Sequence, residues 1–200
     1  RNGLNKAGSY CMATLYINLF LKVFLIFTPF FVISAFLSLT KDDSPVERRK
    51  IAVKISLAVA ISCFVLFFFG TYIFALFGIP LDAFRIGAGA ILFLSAVSMI
   101  QGKATVSPQT SREDVAVVPL AIPITVGPGT IGVMLVLGAD LVTLGEKIVA
   151  GLALLSAVVV LGGLLLIAGR LEKVLGQQGL TILTKLTGLF MGLFSIYFYL

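Results

Sequence analysis

The stretch PLAIPITVGPGTIGVMLVLG, residues 119–138, holds the side chains and backbone most able to do chemistry. Pro123 and Pro128 lack the N–H that a helix interior uses, and each ring clashes with the carbonyl one turn back. Gly127 and Gly129 flank Pro128 and can adopt backbone angles closed to other residues. Thr125 and Thr130 add hydroxyls within the same turns. The expected result is a discontinuous helix whose second half starts near Pro128, because proline is favourable at the first helical position. Such a break presents N–H groups at one half-helix start, which favour a carboxylate. It presents carbonyls at the end of the other half, which favour a cation or an ammonium. A fainter version, FTPFFVISAF at residues 27–36, offers Thr28, Pro29 and Ser34. Taken alone, Thr28–Pro29 reads as a kink.

The residue types that are missing narrow the chemistry further. The chain has no histidine, and its nine acidic residues all fall outside the long apolar runs. There is no G-x-S-x-G, no H-E-x-x-H and no aspartate pair within an apolar run. An enzyme is therefore not expected, and neither a metal site nor a cofactor. Cys11 and Cys63 form no disulfide framework. A proton-driven carrier would normally show a carboxylate or histidine within a span, so the coupling ion stays open.

The elements that must position these residues are membrane helices. The 200 residues are 59% hydrophobic and 12% charged, too little charge to clothe a soluble domain of this length. The apolar residues come in runs, at residues 23–39, 55–77, 86–100, 115–139, 148–169 and 186–200. A span needs about 20 apolar residues, so the third and sixth runs are expected to borrow flanking residues from Leu81 and Leu180 onward. Lys22 can snorkel to an interface at the edge of the first. The opening stretch has no small-residue cleavage site and continues into the first run, so it is not expected to be a signal peptide. The net charge of +6 sits in short loops rather than on one basic face, which argues for topology and against nucleic acid. The ERRK run at residues 47–50 reads as a solvated loop of that kind.

Counted by side, ten Lys and Arg follow the odd-numbered spans and four lie on the other side. This puts the odd-numbered loops in the cytoplasm and both termini outside. Arg85 and Lys185, 100 residues apart, align the third span with the sixth, while Pro29 falls on Pro123 at a separation of 94. The expected fold is an all-α polytopic membrane bundle of six transmembrane helices. It forms one integral membrane domain of two inverted three-span halves, residues 1–103 and 104–200, with the first and fourth helices broken. Gly188 and Gly192 make a GxxxG, expected to pack helices within the chain; a homo-oligomer stays open.

PLAIPITVGPGTI resembles the signature of the MarC family, six-span bacterial inner-membrane proteins also called the neutral amino acid transporter family. AFLSLTKDD (residues 35–43), FGIPLDAFRIGAGAILFLSAVSMIQGK (77–103) and ILTKLTGLFM (182–191) extend the similarity over nearly the whole chain. The resemblance implies an inner-membrane carrier of small neutral amino acids such as glycine and alanine. It falls on Pro119, Pro123, Gly127, Pro128, Gly129 and Thr130, and on Arg85, Gly87 and Gly89 in the third span. Relatives tend to have Asp or Asn before the first-span proline, then Gly-Asn, then a second proline; here those places are Thr28, Phe31–Val32 and Ser34. The substrate-binding candidates are thus Thr28, Pro29, Ser34, Pro123, Thr125, Gly127, Pro128, Gly129 and Thr130. Arg85, Gly87, Gly89 and Lys185 are the gating or structural ones. The first reading is a secondary transporter of a small neutral solute in contact with the lipid bilayer. The alternative is a non-transporting membrane protein with an assembly or regulatory role on the same fold.

Overall fold

The computed structural model describes residues 2–78, 80–102, 125–141 and 143–199. Every element among them is an α-helix: α1 (Asn2–Ile26), α2 (Pro29–Leu39), α3 (Pro45–Phe77), α4 (Leu81–Ile100), α5 (Pro128–Asp140), α6 (Leu144–Leu166) and α7 (Ala168–Tyr199). Five stretches are long and apolar enough to cross a bilayer, Met12–Leu39, Pro45–Gly70, Asp82–Ile100, Leu144–Leu166 and Ala168–Ile196. A shorter apolar helix, Gly129–Asp140, stands where the fourth span was expected. The earlier part of that span, with Pro119 and Pro123, and the division expected at 103/104 lie outside the described residues.

Several boundaries move. The first apolar stretch begins at Met12, not residue 23, because one lysine does not interrupt an apolar helix and Lys22 lies within it. The third span does take residues from Leu81 onward. The ERRK run is helical and not a loop: Ser44 caps α3, Pro45 occupies its first position, and the Glu47 carboxylate returns to the Ser44 N–H. Proline in the first turn and a capping box outweigh the charge of the run. In α7, Gly176 takes φ 65°, ψ 170°, a combination open essentially to glycine alone. It separates a short helix, residues 168–175, from the spanning part that follows.

Glycines mark where the helices touch. A Cβ on Gly188 would sit 3.0 Å from the Met99 Cβ, so the GxxxG packs α7 antiparallel against α4, within the chain as expected. Gly70 lies against the backbone of Leu135, and a Cβ on Gly138 would overlap the Phe67 carbonyl, which makes α3 and α5 antiparallel neighbours. Gly162 faces Ser56 and sets α6 against α3. Some of these contacts correspond between the first and second parts of the chain. α4 packs on α7 and α3 on α6, while α2 on α7 mirrors α5 on α4.

The same correspondence appears in the helix starts. Pro29 and Pro128 both occupy the first position after a break, and they lie 99 residues apart. Ser44 and Thr143 both build capping boxes, with Glu47 and Glu146, at the same separation. At that separation Pro29 corresponds to Pro128, while Pro123 lies outside the described residues. A separation of 99 is close to the 100 of Arg85 and Lys185.

Candidate functional site

The fourth span leaves α-helical geometry before Pro128. Gly127 is extended at φ −75°, ψ 176°, and α5 starts with Pro128 at its first position. At 1.5 Å per residue, the 13 residues of α5 reach about 20 Å, against a hydrocarbon core of about 30 Å. The far end is pinned at the bundle's edge, where Asp140 pairs with Arg85, which also reaches Asp82 at 3.2 Å. By itself α5 is therefore too short to cross a bilayer.

Protein covers that start. Thr125, Val126, Gly129 and Thr130 are all buried. A Cβ on Gly129 would come within 2.6 Å of Leu92 Cδ2, halfway along α4, so a larger residue there would push the Leu92 side chain aside. The Thr130 hydroxyl donates to the Thr125 carbonyl at 2.9 Å and closes the break across the non-helical residues. Its proton is thus committed, and a ligand would find only its acceptor lone pairs. From Thr125 to Ala139 there is no ionisable side chain, so what this stretch itself contributes to the electrostatics of the break comes from its backbone and the α5 dipole.

The first span carries a genuine break and not a simple kink. α1 ends at Ile26, and Thr28 sits at φ 47°, ψ 56°, the one positive-φ residue other than glycine among those described. Threonine is β-branched and rarely enters this region. Pro29 then opens α2, in which the Val32 N–H donates to the Thr28 carbonyl at 3.0 Å. Thr28 and Pro29 are buried, and Ser34 is half-buried one turn on.

Both breaks adjoin one continuous core, with Phe27 and Val32 on one side and Val126 and Val133 on the other. They do not share a packing face: α2 lies chiefly against α7 and α6, and α5 against α3 and α4. Among the other candidates, Gly89 is buried in α4, whereas Gly87 is exposed with open space around it and meets no close approach. Lys185 is exposed on α7, within a spanning stretch rather than at a loop. Arg85 joins α4 to α5 through Asp140. The sequence reading missed Asp140, Gly132 and Gly138. Asp140 carried a legible signal, being the acidic residue at the end of the fourth apolar run.

Residues 13–200 match the family described as MarC family integral membrane protein. The chain belongs to the MarC family. Relatives of this MarC protein include a UPF0056 membrane protein of Aquifex aeolicus, 31% identical over 92% of this chain and 90% of the relative. The UPF0056 membrane protein YhcE of Escherichia coli is 32% identical over 92% and 89%. One from Methanocaldococcus jannaschii is 31% identical over 87% and 88%. No solved structure matches the chain. The MarC protein is thus an integral, multi-pass membrane protein in contact with lipid.

Proposed function

We propose that this MarC protein is a secondary transporter of a small neutral solute, a neutral amino acid such as glycine or alanine, and not an enzyme. In this reading it resides in a bacterial inner membrane with both termini outside the cytoplasm. One observation carries the proposal: α5, Pro128–Asp140, is too short to cross a bilayer alone and starts after non-helical backbone, which in this reading lies at membrane depth, with a like break before Pro29 in the first span. Non-helical backbone at that depth is tolerated only where protein buries it or water lines it. Paired broken helices in corresponding positions of two halves are the usual setting of a transporter's binding site.

The N–H groups at the start of α5 suit a carboxylate, and the carbonyls that precede the break suit an ammonium. The absence of a fixed charge there gives a charged side chain nothing to pair with. Arg85 with Asp140 closes one end of the bundle and would have to part when that end opens.

Uptake of labelled glycine into vesicles holding the purified protein tests this. Alanine and serine should compete. Their amides should compete less well, by roughly 0.3–1 kcal/mol and up to about 2 if the site is partly buried. Glutamate and lysine should compete poorly. If charged and neutral amino acids compete alike, the zwitterion site fails. If nothing is taken up, the assembly or regulatory role stands instead.

A further inference from the structure

At the end of the bundle away from Arg85 and Asp140, a cavity of about 630 Å³ opens between the end of α2, the start of α3, the end of α6 and the start of α7. Four cations line it, Arg48, Arg49, Arg170 and Lys173, against one carboxylate, Glu172. Its apolar side is Phe36, Leu37, Leu165 and Leu166, the last 48% exposed. We propose that this cavity binds the headgroup phosphate of an anionic phospholipid, with the acyl chains against the apolar side.

The mixed lining decides the chemistry. A neutral solute gains nothing from four cations, and a small soluble anion gains nothing from phenylalanine and leucine. An anionic lipid uses both. Basic pockets between membrane helices at the bilayer surface draw such headgroups, and each cation near the surface contributes independently. The cavity also lies at the end of the bundle where the Lys and Arg excess falls, the end the charge count assigns to the cytoplasm.

The wall is built before any lipid arrives. Arg48 Nε donates to the Thr40 carbonyl at 2.8 Å, and its Nη2 donates to the Lys41 carbonyl at 2.9 Å. This holds the guanidinium at the rim while leaving its charge in place. The Thr40 hydroxyl donates to the Phe36 carbonyl at 2.7 Å, which ties the end of α2 down. Ser44 already caps α3, so the positive field comes from side chains and not from that helix start. Across the cavity, the left-handed Gly176 frees residues 168–175 as a short helix. That helix carries Arg170 and Lys173, together with Val174 at 84% exposure. Basic and apolar residues on one short element are what a helix lying at a membrane surface presents.

The test is binding to the purified full-length protein in detergent. Dioleoylphosphatidylglycerol, dioleoylphosphatidylcholine and inorganic phosphate are each titrated while thermal unfolding is followed. The phosphatidylglycerol should raise the unfolding midpoint, and the other two should not. In a variant with Arg49→Gln, Arg170→Gln and Lys173→Gln, affinity for phosphatidylglycerol should fall about fivefold for each cation removed, equivalent to about 1 kcal/mol. Arg48 is left intact because it holds α2. The single variants are measured separately, so a triple variant that fails to fold leaves the test intact. Lys147→Gln, near the opposite end, should change nothing. Equal stabilisation by phosphatidylcholine overturns the proposal, and so does full affinity in the variants or an equal loss in Lys147→Gln. Stabilisation by inorganic phosphate alone would make the cavity a soluble-anion site and overturn the lipid assignment.

Discussion

Thr28 is the residue whose conformation most asks for a reason. The left-handed region places Cβ too close to the following carbonyl, at a cost of about 1–2 kcal/mol for an L-residue. Here the Thr28 side chain is buried at the junction of α1 and α2. Asn and Asp enter this region more readily, because a short polar side chain can bond locally. Those are the residue types that the family resemblance places before the first-span proline. Thr28→Asn should therefore raise stability by about 1 kcal/mol, a few degrees in unfolding midpoint for a chain of this size. Thr28→Val keeps the β-branch and should gain nothing. Thermal unfolding of both variants in detergent checks this, and a lower midpoint for Thr28→Asn would mean that threonine is favoured there for another reason.

At the scale of elements, the helix starts are where local chemistry repeats. Ser44 and Thr143 each accept the backbone N–H three residues on, at 3.3 Å, and Glu47 and Glu146 each return to the cap. One box starts α3 and the other starts α6, and since these helices are antiparallel the two lie at opposite ends of the bundle. Removing a cap of this kind costs about 1 kcal/mol. Ser44→Ala and Thr143→Ala should each lower stability by about that much. The double variant should show their sum to within about 0.5 kcal/mol, since the sites share no partner. Chemical unfolding of the three variants measures it. A marked excess in the double variant would mean that the two starts are coupled through the core.

For the whole molecule, the ion pair of Arg85 with Asp140 ties the start of α4 to the end of α5, so those two ends lie on one side. With α3 antiparallel to both α5 and α6, the ends of the described helices sort into two groups, and the charge bias orients them. A reporter active only outside the cytoplasm should work when fused at Asp82 or after the C-terminus. It should be silent at Ser44 and at Gln177. Activity at Ser44 would invert the orientation and place the basic cavity on the outer face.

The amino-acid sequence alone determined an all-helical membrane chain, the interruption at Pro128 and the inward use of Gly188, and it marked a fainter feature at Pro29. Each rests on a local property: the length of an apolar run, a missing N–H, or the smallness of a residue. The capping boxes S-P-V-E and T-L-G-E were equally local and legible, and would have given the internal separation of 99 directly. Only the tertiary structure decided that Gly138 meets the Phe67 backbone and that Arg85 meets Asp140. It alone turned Thr28 left-handed and gathered four cations around one cavity. These depend on which helices lie side by side and at what height, which no residue's own preference encodes. A through-space contact is a property of two places in the chain at once, and the packing of the bundle chooses the pair.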